Sequence, residues 1–191
     1  MTISKVITII IINIASFGAH SEEKLLFQSE YNISAIVVSS VCFVGVQSGA
    51  SYEQNNLIDF GVYNISQSKT FVDPRPFQVV VYEDVINNPG CTAFLAGNKM
   101  VSFKFGDMTG KQLDENGVVT YGAGEEVRIA VSATDSKASN TNMITSKNAE
   151  ILYDVDFASK GKFGFVATVK NLETAKAGSY FGSLSLIITY Q

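Results

Sequence analysis

Histidine is almost absent from this chain. Its 191 residues include a single histidine, His20, which lies just behind an apolar N-terminal run. If that run is a leader that is removed on export, the mature chain has no imidazole at all. A Ser/His or Cys/His nucleophile pair and a histidine-based zinc site each need one. The sequence therefore argues against these catalytic and metal-binding classes.

Long apolar runs are also scarce, because the N-terminal one has no second example in the chain. It covers about residues 6–17 and is followed by small residues, a pattern typical of a secretory signal peptide. The run is too short for a membrane-spanning helix. We predict a signal peptide over residues 1–21, with cleavage after Ser21. Cleavage after Gly18 and an uncleaved membrane anchor are the alternatives.

Basic residues and cysteines are few. Removing residues 1–21 removes one of the 14 basic residues and no acid, which leaves 13 basic against 18 acidic residues and a net charge of −5. This balance argues against a nucleic-acid partner. Cys42 and Cys91 are the two cysteines, and in an exported chain a disulfide bond between them is the expected state. Two unrelated buried thiols are the alternative.

The chain shows no helical 3.6-residue stripe longer than about three turns. It alternates instead with a period of two, in short segments that are separated by clusters of Gly, Pro, Asn and Asp. About nine strands at this spacing predict one all-β domain, a sandwich of two sheets. The polar stretch 132–150 is predicted as a long exposed loop. The candidate strands are 33–43, 57–63, 77–82, 100–105, 118–121, 126–133, 151–157, 163–169 and 179–190.

Both ends of the mature chain look like strands that have no obvious partner. On the last candidate strand, strict alternation places five apolar side chains on one face: Tyr180, Leu184, Leu186, Ile188 and Tyr190. At the mature N-terminus, Leu25, Phe27 and Tyr31 alternate in the same way and the pattern continues through Val37. Unpaired strand edges invite a partner strand.

Four stretches carry a resemblance to a known family. The closing AGSYFGSLSLIITYQ places Gly178 14 residues from the end and Tyr190 next to last. ISAIVVSSVC leads to Cys42, with Ala35 where a glycine is usual. RPFQVVVYEDVINNPGC leads to Cys91 with several extra residues, and LIDFGVY lies between the cysteines. These stretches resemble subunits of chaperone-usher fimbriae, the type 1 and P-pilus-like pilins on the surface of Gram-negative bacteria.

The resemblance implies an incomplete immunoglobulin-like β-sandwich that lacks its final strand. A periplasmic chaperone lends the missing strand and holds the terminal carboxylate with basic residues. At the outer-membrane usher, a neighbouring subunit replaces that strand with its own N-terminal extension, a form of β-augmentation. The implied function is that of a structural subunit of a surface fimbria. It would reach the cell surface through the periplasm, polymerise by donor-strand exchange and support cell adhesion.

The same resemblance assigns segments and residues. Residues 22–32 become the donor-strand extension and 33–191 the pilin domain. The donor-strand positions are Leu25, Phe27, Ser29 and Tyr31, although Ser29 stands where the family often has glycine. The assembly groove and terminal strand are assigned to Gly178, Tyr180, Leu184, Leu186, Ile188 and Tyr190.

Two other classes of function are the alternatives. A single-domain fimbrial adhesin would bind a host receptor or glycan through surface loops, such as 132–150 or the insertion before Cys91. The N-terminal extension argues against a tip adhesin, which would begin with a receptor domain.

An enzyme would need paired carboxylates, but such residues are more often exposed charges on strands and turns. The DENG segment lacks the further ligands of a calcium loop. We expect no cofactor and no metal. The carboxylate pairs that an enzyme could use are Asp154 with Asp156, Glu125 with Glu126, and Asp114 with Glu115.

Overall fold

The structure is a computed structural model that describes residues 42–48, 56–62, 73–97, 99–122 and 125–190. The predicted signal peptide, the predicted donor-strand extension and most of the predicted strand 33–43 lie outside these ranges. In the parts of the chain that are described, no helix is long and apolar enough to cross a membrane.

Short strands make up most of the described chain. One helical turn, α1 (Val155–Ala158), and two 3₁₀ turns (Thr92–Ala96 and Leu172–Thr174) interrupt them. In chain order the strands are β1 (Phe43–Ser48), β2 (Arg75–Tyr82), β3 (Met100–Phe105), β4 (Leu113–Asp114), β5 (Gly117–Gly122), β6 (Arg128–Ala133), β7 (Glu150–Asp154), β8 (Lys162–Lys170), β9 (Tyr180–Gly182) and β10 (Leu186–Tyr190).

The strands form two antiparallel sheets. The larger sheet has the order β1-β2-β8-β6-β5-β4, with β9 added to β5, and the smaller has the order β10-β3-β7. Alternate side chains of β8 are buried, as expected for a strand with one face on the core. Phe103 and Tyr153 of the smaller sheet contact Phe163 of the larger, with ring centroids 4.3 and 4.9 Å apart. The predicted all-β sandwich is confirmed.

The predicted strand 151–157 is wrong in its second half, because β7 ends at Asp154 and α1 follows. The Asp154 carboxylate accepts the backbone N–H of Asp156 at 2.9 Å and so caps the helical turn. The two acids of this candidate pair therefore do not lie on one face of a strand. The predicted strand 57–63 is wrong over its described residues, since 57–62 are irregular.

The predicted loop 132–150 is present over residues 134–149, but it is not exposed throughout. Ile144 has 0% of its surface exposed and packs into the main core, and its N–H donates to the Val131 carbonyl at 2.8 Å. Ser139 exchanges hydrogen bonds with Leu152 of β7, through its N–H at 2.9 Å and its Oγ at 2.8 Å. Asn140 donates to the Glu150 carbonyl at 3.1 Å. The loop therefore lies along the outer edge of β7 and is anchored to the core by Ile144.

Candidate functional site

The two cysteines form the predicted disulfide bond, with Cα atoms 5.9 Å apart. Cys91 is buried and directly precedes the 3₁₀ turn Thr92–Ala96. The insertion before it folds back on the domain, since the N–H of Gly90 donates to Val81 and that of Cys91 to Ser159. The Glu83 carboxylate lies beside the two sulfur atoms but accepts the hydroxyl of Thr92 at 2.5 Å. This cluster is structural, because both sulfur atoms are bonded to each other.

The C-terminal segment is two strands instead of the single predicted strand 179–190. β9 pairs with β5 of the larger sheet, with Tyr180 opposite Gly122. β10 pairs with β3 of the smaller sheet, with Leu186 opposite Phe105. Residues 183–185 carry the chain from one sheet to the other. The alternation of apolar residues runs through this crossover unbroken, so the sequence pattern concealed it.

The side chains of β10 divide between its two faces as predicted. Leu184, Leu186 and Ile188 pack against the main core but are only half-buried. Ile187 points the other way and is 44% exposed. Tyr190 is also 44% exposed and sets its ring edge-on against Phe94, with centroids 5.6 Å apart. The core side of β10 is therefore incompletely covered by the described residues.

Tyr180 and Gly178 lie at a different place from the other predicted groove residues. Tyr180 packs against a second small cluster of Val127, Val169 and Leu172. It lines a cleft of ≈ 790 Å³ between segments 57–62 and 175–182. Its hydroxyl has no hydrogen-bond partner among the described residues, and burial, with a further effect from Asp59, raises its pKa. Gly178 has φ +146°, a conformation that favours glycine.

The backbone of β10 shows which of its hydrogen-bonding groups are used. The N–H of Gly106 donates to the Ser185 carbonyl at 2.9 Å, while the N–H of Phe105 donates to Ala149 on the opposite side of β3. Because antiparallel pairing alternates along a strand, Ile187 and Thr189 direct their N–H and C=O groups toward β3. The groups of residues 186, 188 and 190 face the outer edge. In the described part of the chain, nothing is paired with that edge.

Loops form hydrogen bonds with other outer edges of the two sheets. On β1 the N–H of Val46 donates to the Asn56 side chain at 2.9 Å. On β4 the carbonyl of Asp114 accepts the N–H of Ser146 at 2.9 Å. The outer edge of β7 is closed by the segment 134–149, as described above. Among the described strands, β9 and β10 are the ones whose outer edges carry no such cover, and both belong to the C-terminal segment.

Two of the remaining candidate carboxylates form ion pairs. Asp114 forms a 2.6 Å ion pair with Arg128 on β6. Glu115 pairs with Lys147 at 2.7 Å on the exposed surface. Residues 125–126 are exposed in the turn before β6. Asp114 and Glu115 therefore join neighbouring segments of the sandwich.

Comparison with known proteins agrees with the geometry. The P pilus rod subunit PapA has a similar fold, with a TM-score of 0.51 and 17% identity, over 86% of this chain and 100% of that one. A structure of a chaperone-usher pilus matches at 20% identity over 86% of this chain and 96% of its own, with a TM-score of 0.39. No curated protein matches the sequence. A protein-family model, K88 fimbrial protein A, matches residues 3–191, and the chain therefore belongs to the K88 fimbrial protein A family.

Proposed function

We propose that this protein is a structural subunit of a bacterial surface fimbria and that it polymerises by donor-strand exchange at the outer edge of β10. The observation that carries the proposal is the contrast between strand edges. A loop is hydrogen-bonded at several positions along the outer edge of β7, and loops bond β1 and β4 at one position each. The outward backbone groups of β10 have no such partner among the described residues. A strand edge left open beside a half-covered core is the arrangement that β-augmentation fills.

The proposed donor is the N-terminal extension of another copy or of a related subunit. In residues 22–32, Leu25, Phe27 and Tyr31 alternate with polar or smaller side chains, and Ser29 occupies the remaining donor position. A strand beside β10 would pair with the backbone groups of residues 186, 188 and 190. Its apolar side chains would then cover the half-buried face of β10.

In this proposal the same edge is used twice. A periplasmic chaperone first supplies a strand, and the outer-membrane usher then exchanges it for the extension of the next subunit. The finished polymer lies on the cell surface and supports adhesion. Membership of a fimbrial family and the open C-terminal edge both support this sequence of partners.

The energy available at the open edge is large enough to drive assembly. Fully burying a Leu or Ile side chain contributes about 1.5–3 kcal/mol. Leu184, Leu186 and Ile188 are already half-buried, so completing their burial contributes roughly half of the total for three such side chains. Each new backbone hydrogen bond adds a net ~0.5–1.5 kcal/mol. The total is several kcal/mol, comparable with the ~5–15 kcal/mol that stabilises a typical domain. Donor-strand uptake would therefore change the stability of the subunit measurably.

Self-complementation tests this function. Two chains that both begin at Ile33 are compared. The second differs by carrying residues 22–31 after Gln191, joined through a flexible linker. We expect the second to be a soluble monomer with a clearly higher melting temperature and the first to aggregate. A control with Leu25→Asp and Phe27→Asp in the added segment keeps the linker but should lose the gain. If the first chain is already a monomer that melts as high, the domain needs no added strand.

A receptor-binding role of the same domain is a second candidate. The segment 134–149 is held on β4, β6 and β7 while it exposes the polar side chains of Lys137, Thr141 and Asn142. A polar ridge on a rigid support is typical of a binding loop. The alternative predicts that assembled fimbriae lose binding to an array of host glycans when Thr141 and Asn142 are both replaced by alanine. Unchanged binding would assign adhesion to another part of the fimbria.

A further inference from the structure

Gln112 is a polar side chain to which no sequence motif points. It lies in the connection between β3 and β4, and its backbone is fixed there because its carbonyl accepts the N–H of Val119 at 2.9 Å. The side chain is half-buried and points at the crossover between β9 and β10. It therefore links a fixed part of the larger sheet to the segment that leads into the open edge.

The polar groups of Ser185 are all held by this connection. Its N–H donates to Gln112 Oε1 at 2.7 Å, and its Oγ accepts from Gln112 Nε2 at 3.1 Å. Its carbonyl accepts the N–H of Gly106 at 2.9 Å. A longer contact of 3.5 Å joins Gln112 Nε2 to the hydroxyl of Ser183. Ser185 is the residue at which the ladder between β10 and β3 begins, so these bonds fix its starting point.

The apolar pattern of β10 leaves one kind of register shift open. A shift by one residue would bring Ser185 and Thr189 to the core face, so the alternation disfavours it. A shift by two residues keeps Leu184, Leu186 and Ile188 on the core face, so the alternation does not exclude it. It would move the outward backbone groups along the edge by two residues. A specific polar contact at the start of β10 can select between these registers.

We propose that Gln112 is a positioning residue that fixes the register of β10 and thereby presents the outer edge in the form that an incoming strand can pair with. This inference rests on the proposed function, because the edge matters only if a strand is added to it. Gln112 need not touch that strand. It acts through Ser185.

The test uses the full mature chain, isolated as a monomer so that no other copy occupies the edge, with three substitutions. Gln112→Leu keeps the size of the side chain and removes its polar groups. Gln112→Glu keeps an oxygen that can accept the N–H of Ser185. Lys111→Leu is the matched control, since the side chain of Lys111 is exposed. Amide hydrogen exchange should be about tenfold faster at Ser185 in Gln112→Leu and close to the parent value in the other two variants.

The second measurement is the rate at which each variant takes up a fluorescent synthetic peptide with the sequence of residues 22–32. We expect about a tenfold lower rate for Gln112→Leu and recovery in Gln112→Glu, which a loss of general stability would not produce. Unchanged exchange at Ser185 and unchanged uptake in Gln112→Leu would overturn the inference. If Gln112→Leu does not fold, Gln112→Asn shortens the reach by one methylene and serves in its place.

The two measurements separate the inference from the function on which it rests. If the parent chain takes up no peptide, the proposed function fails, while exchange at Ser185 still shows whether Gln112 fixes the start of β10. If the parent takes up peptide and Gln112→Leu does so at the same rate, strand addition stands and the positioning role is wrong.

Discussion

Replacing Ile144 by alanine tests whether the segment 134–149 is part of the folded sandwich. Ile144 has none of its surface exposed and packs in the main core, so its truncation leaves a cavity. Large-to-small substitutions of this kind cost about 2–5 kcal/mol. For a chain of this size each kcal/mol lowers the melting temperature by about 2–4 °C, which gives an expected decrease of roughly 4–20 °C.

Urea unfolding of the mature chain with its disulfide intact measures the loss directly. The urea concentration at the midpoint should fall. The slope of the free energy of unfolding against urea concentration should stay unchanged, because the same surface is exposed on unfolding. Thr141→Ala, in the exposed part of the same segment, should change stability by no more than ~0.5 kcal/mol. A cost below about 1 kcal/mol for Ile144→Ala would refute the packing of this segment and, with it, the closure of the β7 edge.

Three further predictions concern the framework of the domain. Replacing Cys42 and Cys91 by serine opens a loop of sequence separation 49 and should cost about 4 kcal/mol in urea unfolding; a loss below 1 kcal/mol would contradict it. Gly161→Ala should lower the free energy of unfolding by more than ~3 kcal/mol, because at φ +69° the new Cβ would overlap a backbone carbonyl of β2. Gly110→Ala is the control: its φ is +68° but the space around it is open, so the loss should be about 1–2 kcal/mol. Burial raises the pKa of Asp135, so its contribution to stability is most favourable in acid and is lost as the pH rises through that raised pKa. Asp135→Asn should therefore make the free energy of unfolding depend less on pH. An unchanged pH profile in this variant would contradict the role of Asp135.

The sequence predicted those features that depend on local pattern and on the compartment. Alternation identified β2, β3 and β8 within a residue or two of their ends, because each has one face on the core. The cysteine pair followed from export and from the presence of two thiols. The faces of Leu186, Ile187 and Ile188 also followed from the period of two.

The sequence could not predict features that depend on contacts between distant segments. The crossover at residues 183–185 is hydrogen-bonded to Gln112, which lies more than seventy positions earlier in the chain. The burial of Ile144 depends on the space that β6 and β7 leave beside the core, so a single isoleucine in a polar stretch gave no signal. Asp154 caps a helical turn because the chain leaves the sheet at that residue, which alternation cannot show.

Amide hydrogen exchange along β10 tests the central claim most directly, because its two edges involve alternate residues. In the monomeric mature chain, whose β10 edge holds no extension from another copy, the N–H groups of Ile187 and Thr189 should be protected by β3, and those of Leu186, Ile188 and Tyr190 should exchange quickly. Addition of a donor peptide with the sequence of residues 22–32 should protect the second set and leave the first unchanged. If Leu186, Ile188 and Tyr190 are already protected without the peptide, or gain no protection with it, the outer edge of β10 is not the assembly site.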